Sequence, residues 1–163
     1  MTIERKLTAG SDGDFSDSLN ASLGGWSEAM GLHFLRATAE TVQAELEIGP
    51  EHLQAYGIVH GGVHSGVIET IASVGAALTA LPTGQAVVGV ENHTSFLLAV
   101  REGKLHATAR PLMRGRRTQV WEASIVDDAG RTVASGRVRF IVLEKDSSLA
   151  GEKVGITRSA TPQ

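Results

Sequence analysis

The chain has 163 residues, of which 42% are hydrophobic and 20% charged, and its formal net charge is −3. This length predicts one domain whose core needs no disulfide or metal to fold, and the absence of cysteine excludes a disulfide framework, thiolate metal sites and a cysteine nucleophile. The slightly acidic balance argues against nucleic acid as a partner, and the polar first residues show no signal peptide, so we expect a cytoplasmic protein.

Both ends of the chain are rich in polar residues and glycine. Residues 1–15 are therefore predicted to be a disordered N-terminal tail, and residues 146–163 a loose C-terminal tail. Because no linker, internal repeat or charge run lies between them, we place a single domain at residues 16–145.

The first elements of this domain are a short helix and a pair of strands. Residues 18–30 allow the helix. From Val42 to Ile48 apolar and polar residues alternate, a period of two that is typical of a strand. A break near Thr41 would divide residues 32–48 into two strands.

Residues 63–81 show no such alternation and are followed by Pro82, so they are predicted to form one long helix. Its glycine and alanine residues make some faces thin, which would let a sheet wrap closely around it. Because this apolar segment contains His64 and Glu69, it is interpreted as a buried core helix, and no membrane partner is expected.

Four strand candidates follow the helix, at residues 86–100, 105–113, 118–126 and 132–143. Turns separate them, and Asp127-Asp128-Ala129-Gly130 is a hairpin signal. Two strands, a long helix and four strands in a meander predict an α+β fold with an antiparallel sheet.

Two glycines open the long helix in the sequence His60-Gly61-Gly62. The first turn of a helix leaves N–H groups unpaired and carries a partial positive charge, and glycine lets a ligand oxygen approach those groups closely. This is the physical basis of an oxyanion hole. The alternative is that the glycines only permit tight packing at the helix start.

Glu69 is the only formally charged residue between Gly61 and Leu81. Ser65, Glu69 and Ser73 recur every four residues and so share one helix face. A carboxylate in a partly dry cleft suits a nucleophile or general base, whereas the alternative is a solvated or purely structural polar face.

The remaining polar residues give weaker signals. The histidines show no metal-ligand spacing, and no phosphate-binding or dinucleotide motif is present, so we expect neither a metal nor a cofactor. Arg114, Arg116 and Arg117 stand at a turn between two strands, and three guanidinium groups within four residues suit phosphate recognition. A solvated basic turn is the alternative.

Together these motifs resemble the hotdog-fold thioesterases, in particular the branch with a catalytic glutamate. That branch includes one type of 4-hydroxybenzoyl-CoA thioesterase and, nearby, the phenylacetate-pathway thioesterases. The likeness covers residues 53–143 and rests on His60-Gly61-Gly62 with Glu69, on Asn92-His93-Thr94-Ser95-Phe96 and on Asp127-Asp128-Ala129-Gly130-Arg131. It implies a hotdog fold, an antiparallel sheet wrapped around one long central helix.

The resemblance also implies roles for individual residues. The catalytic set would be Glu69 as nucleophile or general base, the Gly61 N–H polarising the thioester carbonyl with His60 beside it, Gln54 holding the substrate or water, and the Ser73 hydroxyl. Contacts with substrate or coenzyme A would fall on Gly62, Thr70, Asn92, His93, Phe96, Arg116, Arg117 and Thr118. A phosphate-binding arginine of the 4-hydroxybenzoyl enzyme is Leu98 here, so Arg116 and Arg117 would neutralise the nucleotide instead.

We therefore predict an acyl-CoA thioesterase that hydrolyses an aromatic, 4-hydroxybenzoyl-CoA-like or other acyl-CoA, with coenzyme A as part of the substrate. The alternative is a non-catalytic acyl-CoA binder or sensor on the same fold, although a sensor has little use for the Glu69 carboxylate. A hotdog hydratase is disfavoured because its usual Asp and His pair is not found after the start of the helix.

The spacing of the two candidate groups further predicts a shared site. Gly61 and Glu69 lie about 12 Å apart along one helix, yet a polarising amide and an attacking carboxylate must both reach one carbonyl group. A two-fold axis would bring Glu69 of one chain to Gly61 of another. We therefore expect a homodimer, and the resemblance implies that such dimers pair into a homotetramer. The alternative is that Glu69 works through water within its own chain.

Overall fold

A computed structural model of the chain describes residues 2–10 and 12–158. A six-stranded antiparallel sheet wraps around one 20-residue helix, and a small sheet joins the chain ends. This confirms the predicted fold class. In chain order the elements are β1 (Thr2–Leu7), α1 (Ser16–Ala21), α2 (Gly25–Ala29), β2 (His33–Ala37), β3 (Val42–Glu47), α3 (Gly61–Ala80), β4 (Val87–Phe96), β5 (Lys104–Arg114), β6 (Thr118–Asp127), β7 (Thr132–Val142), β8 (Ser148–Leu149) and β9 (Glu152–Arg158).

The strand order in the large sheet is β2-β3-β5-β6-β7-β4. Strands β5 to β7 form a meander, but the predicted place of β4 before β5 is wrong, since β4 pairs with β7 at the far edge and β3 lies beside β5. Alternation identifies a strand but not its neighbour. The connection at residues 97–103 can span about 23 Å when extended, more than the roughly 14 Å between β4 and β5.

Helix α3 is the centre of the core. Gly75 lies so close to the ring of Trp121 that a Cβ could not fit there, which is how a thin helix face admits the sheet. By length and composition alone, residues Gly61–Thr83 could cross a membrane. Their apolar side chains pack under the strands instead, as expected of a core helix. The buried residues of α3 are Val63, His64, Val67, Ile68, Ile71, Ala72, Gly75, Ala76, Leu78 and Ala80.

The β6–β7 hairpin forms where the sequence predicts it. Asp127 Oδ1 accepts hydrogen bonds from the N–H groups of Ala129 at 3.0 Å and Arg131 at 2.9 Å, and its Oδ2 accepts from Arg131 Nε at 2.7 Å. The Arg131 guanidinium and the turn amides hold the pKa of Asp127 below its ordinary value. Gly130 has φ of 74°, a conformation that favours glycine.

The chain ends differ from the predicted irregular tails. Strand β1 pairs in parallel with β9, from Thr2 beside Lys153 to Leu7 beside Arg158. This pairing joins segments from opposite ends of the chain, so no local pattern could reveal it. The structure thus has a strand within each predicted tail. The tails at 1–15 and 146–163 and the domain at 16–145 stay predictions, and residues 1, 11 and 159–163 lie outside the described residues.

The predicted helix at residues 18–30 is two short helices, α1 and α2, separated by residues 22–24. Helix α2 lies against α3, where the Trp26 ring contacts Gly66 so closely that a Cβ there could not fit. The segment α1–α2 thus covers the face of α3 that carries Glu69.

Candidate active site

The Glu69 carboxylate is the centre of a polar cluster on one face of α3. Its Oε1 accepts a hydrogen bond from Ser73 Oγ at 3.3 Å, and its Oε2 accepts one from Asn92 Nδ2 at 3.0 Å. Ser73 lies one turn further along α3, while Asn92 belongs to β4. A donor on each oxygen holds the half-buried carboxylate in one orientation, which suits a group that acts on a substrate.

Asn92 is itself held on both sides. Its Nδ2 also donates to the Ser65 carbonyl oxygen at 3.1 Å, and its Oδ1 accepts from Thr94 Oγ1 at 2.7 Å. These contacts assign the amide nitrogen, not the amide oxygen, to the side that faces Glu69. The polar stripe predicted on α3 is therefore completed by the polar residues predicted on β4.

Gly89 is a site residue that sequence reasoning missed. A Cβ at this position would collide with Oε1 of Glu69. Glycine in the interior of a strand often marks a close approach of another group, and this signal could have identified Gly89. The carboxylate therefore lies directly against the backbone of β4.

A cavity of about 250 Å³ adjoins the Glu69 carboxylate, and we call it the Glu69 cavity. Thr70 and Ser73 lie on its wall, as the predicted substrate contact at Thr70 requires. Its remaining lining is largely apolar and comes from the α1–α2 segment, β2 and α3, at Leu19, Leu23, Gly24, Ser27, Phe34 and Val74. Apolar walls limit the water that can surround the carboxylate.

His60 caps the start of α3. Its Nδ1 accepts a hydrogen bond from the Gly62 N–H at 2.8 Å. The Gly62 amide is therefore occupied in this structure, and it does not supply the second polarising donor that its place in the motif suggested. His60 lies beside Gly61, as predicted, but its Nδ1 accepts a hydrogen bond from the backbone.

The Gly61 N–H makes no hydrogen bond within the described part of the chain. It borders a cavity of about 330 Å³, which we call the Gly61 cavity, and the Phe96 ring covers the glycine. The cavity is lined by Gln54, Ile58, Val59, Gly61, His64, Phe96, Leu97, Leu98 and Ala99. An unpaired amide at a helix start beside a cavity can stabilise negative charge on a ligand oxygen.

Gln54 reaches the same cavity through a tight loop. Its Oε1 accepts from the Tyr56 N–H at 2.8 Å, and its carbonyl oxygen accepts from the Gly57 N–H at 2.8 Å. The oxygen of its side-chain amide is therefore engaged, and the NH2 group has no partner among the described residues. The predicted neighbourhood of Gln54 and Gly61 is present.

Within one chain the two candidate groups remain apart. Gly61 and Glu69 border different cavities and are separated by eight residues of α3, or about 12 Å. The structure therefore forms two half-sites on one helix, one with the amide and one with the carboxylate.

His93 does not join either half-site. It lies on the opposite face of β4 from Asn92, because successive strand residues point to opposite faces. There it borders a polar groove on the outer surface of the sheet, near Ser95 and Arg137. The resemblance placed His93 in the site through its motif, but the pleat directs it away.

The arginine turn lies at the other end of the molecule from the Gly61 cavity. Gln119, next to this turn, donates from Nε2 to the Ala76 carbonyl oxygen at 3.2 Å, and Ala76 is about 22 Å along α3 from Gly61. The turn is therefore closer to Glu69 than to Gly61.

The arginines of this turn differ in their partners. Arg114 donates to both oxygens of Glu40, at 2.7 and 2.6 Å, and this pairing raises the pKa of Arg114 and lowers that of Glu40. Arg116 and Arg117 are exposed and form no ion pair with a described residue, while Thr118 begins β6 beside them. Two guanidinium groups thus remain available to an anion.

Comparison with known proteins identifies a family whose members are similar to this chain. A family model described as "Thioesterase superfamily" matches residues 56–134. Over 117 residues the chain is 44% identical to the Mycobacterium tuberculosis protein named "Putative esterase Rv1847", covering 71% of this chain and 84% of that protein.

Two further relatives carry thioesterase names. The chain is 33% identical over 128 residues to the proofreading thioesterase EntH of Cronobacter sakazakii, covering 78% of this chain and 93% of that protein. A solved structure of a mutant of the thioesterase PA1618 from Pseudomonas aeruginosa has a TM-score of 0.75 and 26% identity, covering 78% of this chain and 93% of that chain.

Proposed function

The chain belongs to the thioesterase superfamily and is a thioester hydrolase with the hotdog fold, and from this premise we propose that it hydrolyses acyl-CoA thioesters with Glu69 as its reacting carboxylate. The observation that carries the proposal is the placement of that carboxylate. It is half-buried, oriented by Ser73 and Asn92, and borders a largely apolar cavity.

Two roles of Glu69 are compatible with this placement. As a general base, it takes a proton from a water whose oxygen bonds to the thioester carbonyl carbon; the C–S bond then breaks, and the leaving thiolate recovers the proton. As a nucleophile, its own oxygen bonds to the carbonyl carbon, the thiolate leaves, and water cleaves the resulting anhydride. Both routes yield the free acid and coenzyme A.

The Gly61 amide supplies the complementary function. Negative charge develops on the carbonyl oxygen as the tetrahedral intermediate forms, and a preorganised N–H at a helix N-terminus stabilises it. Gly61 is suited to this role because its N–H is unpaired in the described chain and Phe96 excludes water from one side.

The proposed active unit is a dimer, and hotdog thioesterases are generally oligomeric. Strand β4 is an edge strand, and Val90 on it is 48% exposed, Phe96 58% and the adjacent Leu97 57%. An apolar exposed edge favours pairing with another strand. A two-fold axis perpendicular to β4 at this edge would make the two helices antiparallel and bring the Gly61 half-site of one protomer to the Glu69 half-site of its partner, giving two equal sites. Pairing of such dimers into a tetramer is part of the proposal.

The proposed coenzyme A contacts are Arg116 and Arg117. Both are exposed and unpaired with described residues, in a protein of net charge −3, so they offer local positive charge to the nucleotide phosphates. The acyl group is proposed to be aromatic, of the 4-hydroxybenzoyl size class, because the Gly61 cavity of about 330 Å³ is largely apolar. No cofactor other than the substrate's coenzyme A is proposed, and the proposed location is cytoplasmic.

The test is a hydrolysis screen with benzoyl-, phenylacetyl-, naphthoyl- and straight-chain acyl-CoAs, following release of the free thiol. We expect turnover by the wild type and a loss in kcat of at least about a hundredfold in Glu69→Ala. Glu144→Gln is the matched control, since Glu144 is exposed and outside both half-sites. Binding of acyl-CoA without hydrolysis would contradict the proposal and favour a sensor.

A further inference from the structure

His64 is a buried histidine without a hydrogen-bond partner. It lies on α3 with 3% of its surface exposed, and its Nδ1 is enclosed and makes no hydrogen bond to any of residues 2–10 and 12–158. Buried polar groups are normally paired, because an unpaired one loses its bonds to water without replacement. A histidine in this state needs an explanation beyond packing.

The ring borders the Gly61 cavity, whose lining also includes Gly61 and Phe96. Its centroid lies 6.1 Å from that of the Phe96 ring. Nε2, unlike Nδ1, is not fully enclosed, and it also makes no hydrogen bond to a described residue. Because His64 lines the Gly61 cavity, we take Nε2 as the ring nitrogen that a molecule bound there can reach.

The protonation of the ring follows from its surroundings. Burial lowers the pKa of His64, so the ring is neutral at pH 7 and carries one N–H. A proton on Nδ1 would have no acceptor among the described residues, whereas a proton on Nε2 can be accepted by a molecule in the cavity. His64 is therefore assigned as an Nε2–H donor to the Gly61 cavity.

The rest of the cavity offers few other polar groups. Its side chains are apolar except for Gln54, whose Oε1 is already occupied by the Tyr56 N–H. The free NH2 group of Gln54 and the Gly61 N–H are the other donors at this largely apolar cavity, so a ligand is oriented through a few acceptor atoms. A ligand of pure hydrocarbon would leave the His64 donor unpaired.

The position of His64 relative to Gly61 limits where that acceptor lies. The two residues are three apart on one helix face, and the His64 side chain leans toward the helix start. Three residues rise only about 4.5 Å along a helix, so, if the thioester carbonyl oxygen accepts from the Gly61 N–H, the acceptor for His64 lies close to that oxygen. An oxygen on the β-carbon of the acyl group meets this requirement, whereas a para oxygen on a benzoyl ring lies too far.

We propose that His64 is a specificity-determining residue that donates from Nε2 to a hydroxyl or keto oxygen on the β-carbon of the acyl group, such as the ortho hydroxyl of a 2-hydroxybenzoyl thioester. The proposal rests on the proposed function, because it takes Gly61 as the carbonyl donor. Sites that pair a buried polar group with the substrate discriminate against analogues that lack the partner.

The test compares kcat/KM for 2-hydroxybenzoyl-, 4-hydroxybenzoyl- and benzoyl-CoA in the wild type, His64→Gln and His64→Phe. We expect the ratio of 2-hydroxybenzoyl to benzoyl turnover to fall at least about tenfold in His64→Phe and less in His64→Gln, which keeps a donor. The intrinsic reactivity of each thioester is the same for every variant. A change in the ratio between variants therefore reports the loss of the hydrogen bond from His64 to the substrate oxygen. The ratio of kcat/KM for 4-hydroxybenzoyl-CoA to that for benzoyl-CoA should be the same in all three proteins.

A second readout does not depend on the folding of a variant. In the wild type with 15N-labelled histidine, 2-hydroxybenzoate should shift one ring Nε2 resonance that benzoate leaves in place. Unchanged ratios, an equal loss on all three substrates by a folded His64→Phe, or identical spectra with the two acids would each overturn the role of His64. A wild type that hydrolyses no acyl-CoA would overturn the proposed function instead.

Discussion

The ring of Phe96 lies over Gly61 so closely that a methyl group at Gly61 would be 2.7 Å from ring carbon Cε2. Real Cβ atoms do not make such contacts, so Gly61→Ala must displace the ring or the helix start. We expect kcat/KM to fall at least about tenfold, equivalent to about 1.4 kcal/mol in the transition state. Steady-state kinetics with a thermal unfolding check measures this.

Relief of that contact should restore activity. Adding Phe96→Leu to Gly61→Ala gives the methyl group room, and we expect part of the lost kcat/KM to return. If Gly61→Ala alone is fully active, the crowding between these residues is not important for the site.

The contact of Gly89 with Glu69 gives a second prediction. Gly89→Ala would push the carboxylate away from Ser73 and Asn92, since the new Cβ would collide with Oε1. We expect kcat to fall about tenfold or more, with little change in the melting temperature because Gly89 is exposed. Ser95→Ala, on the outer face of the same strand, is the matched control and should keep full activity.

The exposed arginines give a third prediction. Replacing Arg116 and Arg117 with alanine should raise KM for acyl-CoA and weaken its salt dependence, while kcat is spared. Acyl-pantetheine substrates lack the nucleotide phosphates and should be unaffected. An equal loss with acyl-CoA and acyl-pantetheine would show that the arginines do not contact the nucleotide.

A subunit-mixing experiment examines the shared site. Glu69→Ala and Gly61→Val should each be inactive as homodimers, because the first lacks the carboxylate and the second blocks access to the Gly61 amide. After random exchange at equal concentrations, half of the dimers are mixed, and each has one intact site, so about a quarter of wild-type activity should appear. A mixed sample that stays inactive after proven exchange, or an active species that sediments as a monomer, would contradict the arrangement.

The buried His64 ring predicts a pH dependence of stability. Its pKa is lowered in the folded protein from an ordinary value of 6.5, so the unfolded chain binds the proton first as the pH falls. The stability that the neutral ring contributes is therefore complete above about pH 6.5 and is lost below it. Between about pH 7.5 and pH 5.5, the free energy of unfolding should fall more in the wild type than in His64→Gln.

The control for this comparison is His33→Gln, since His33 is exposed on β2. It should follow the wild-type curve. A His64→Gln protein with the same pH dependence as the wild type would mean that the ring is as well solvated when folded as when unfolded.

Local patterns were sufficient to predict the central helix and its polar stripe. Helix α3 begins and ends within two residues of the prediction, because it has a stop signal and lacks alternation. The hydrogen bond between Glu69 and Ser73 follows from their spacing of one turn. These features depend on residues close together in the sequence.

Features that depend on contacts between residues far apart in the sequence could not be predicted from local patterns. The place of β4 at the sheet edge depends on the path of residues 97–103. The approach of Glu69 to Gly89, and of Trp26 to Gly66, joins elements whose sequences do not reveal their partners. His64 was not predicted to be a site residue, and its burial beside Phe96 became apparent only in three dimensions.

The two tryptophans of the chain lie in contrasting surroundings. Trp121 is fully buried and donates to Gln119 Oε1 at 3.0 Å, whereas Trp26 is 41% exposed and lies on Gly66, three residues before Glu69. We therefore expect a molecule bound near Glu69 to alter the environment of Trp26 more than that of the buried Trp121. The fluorescence emission of the protein thus combines a ligand-responsive component with a constant internal reference, and it can report occupancy of the site without any added dye.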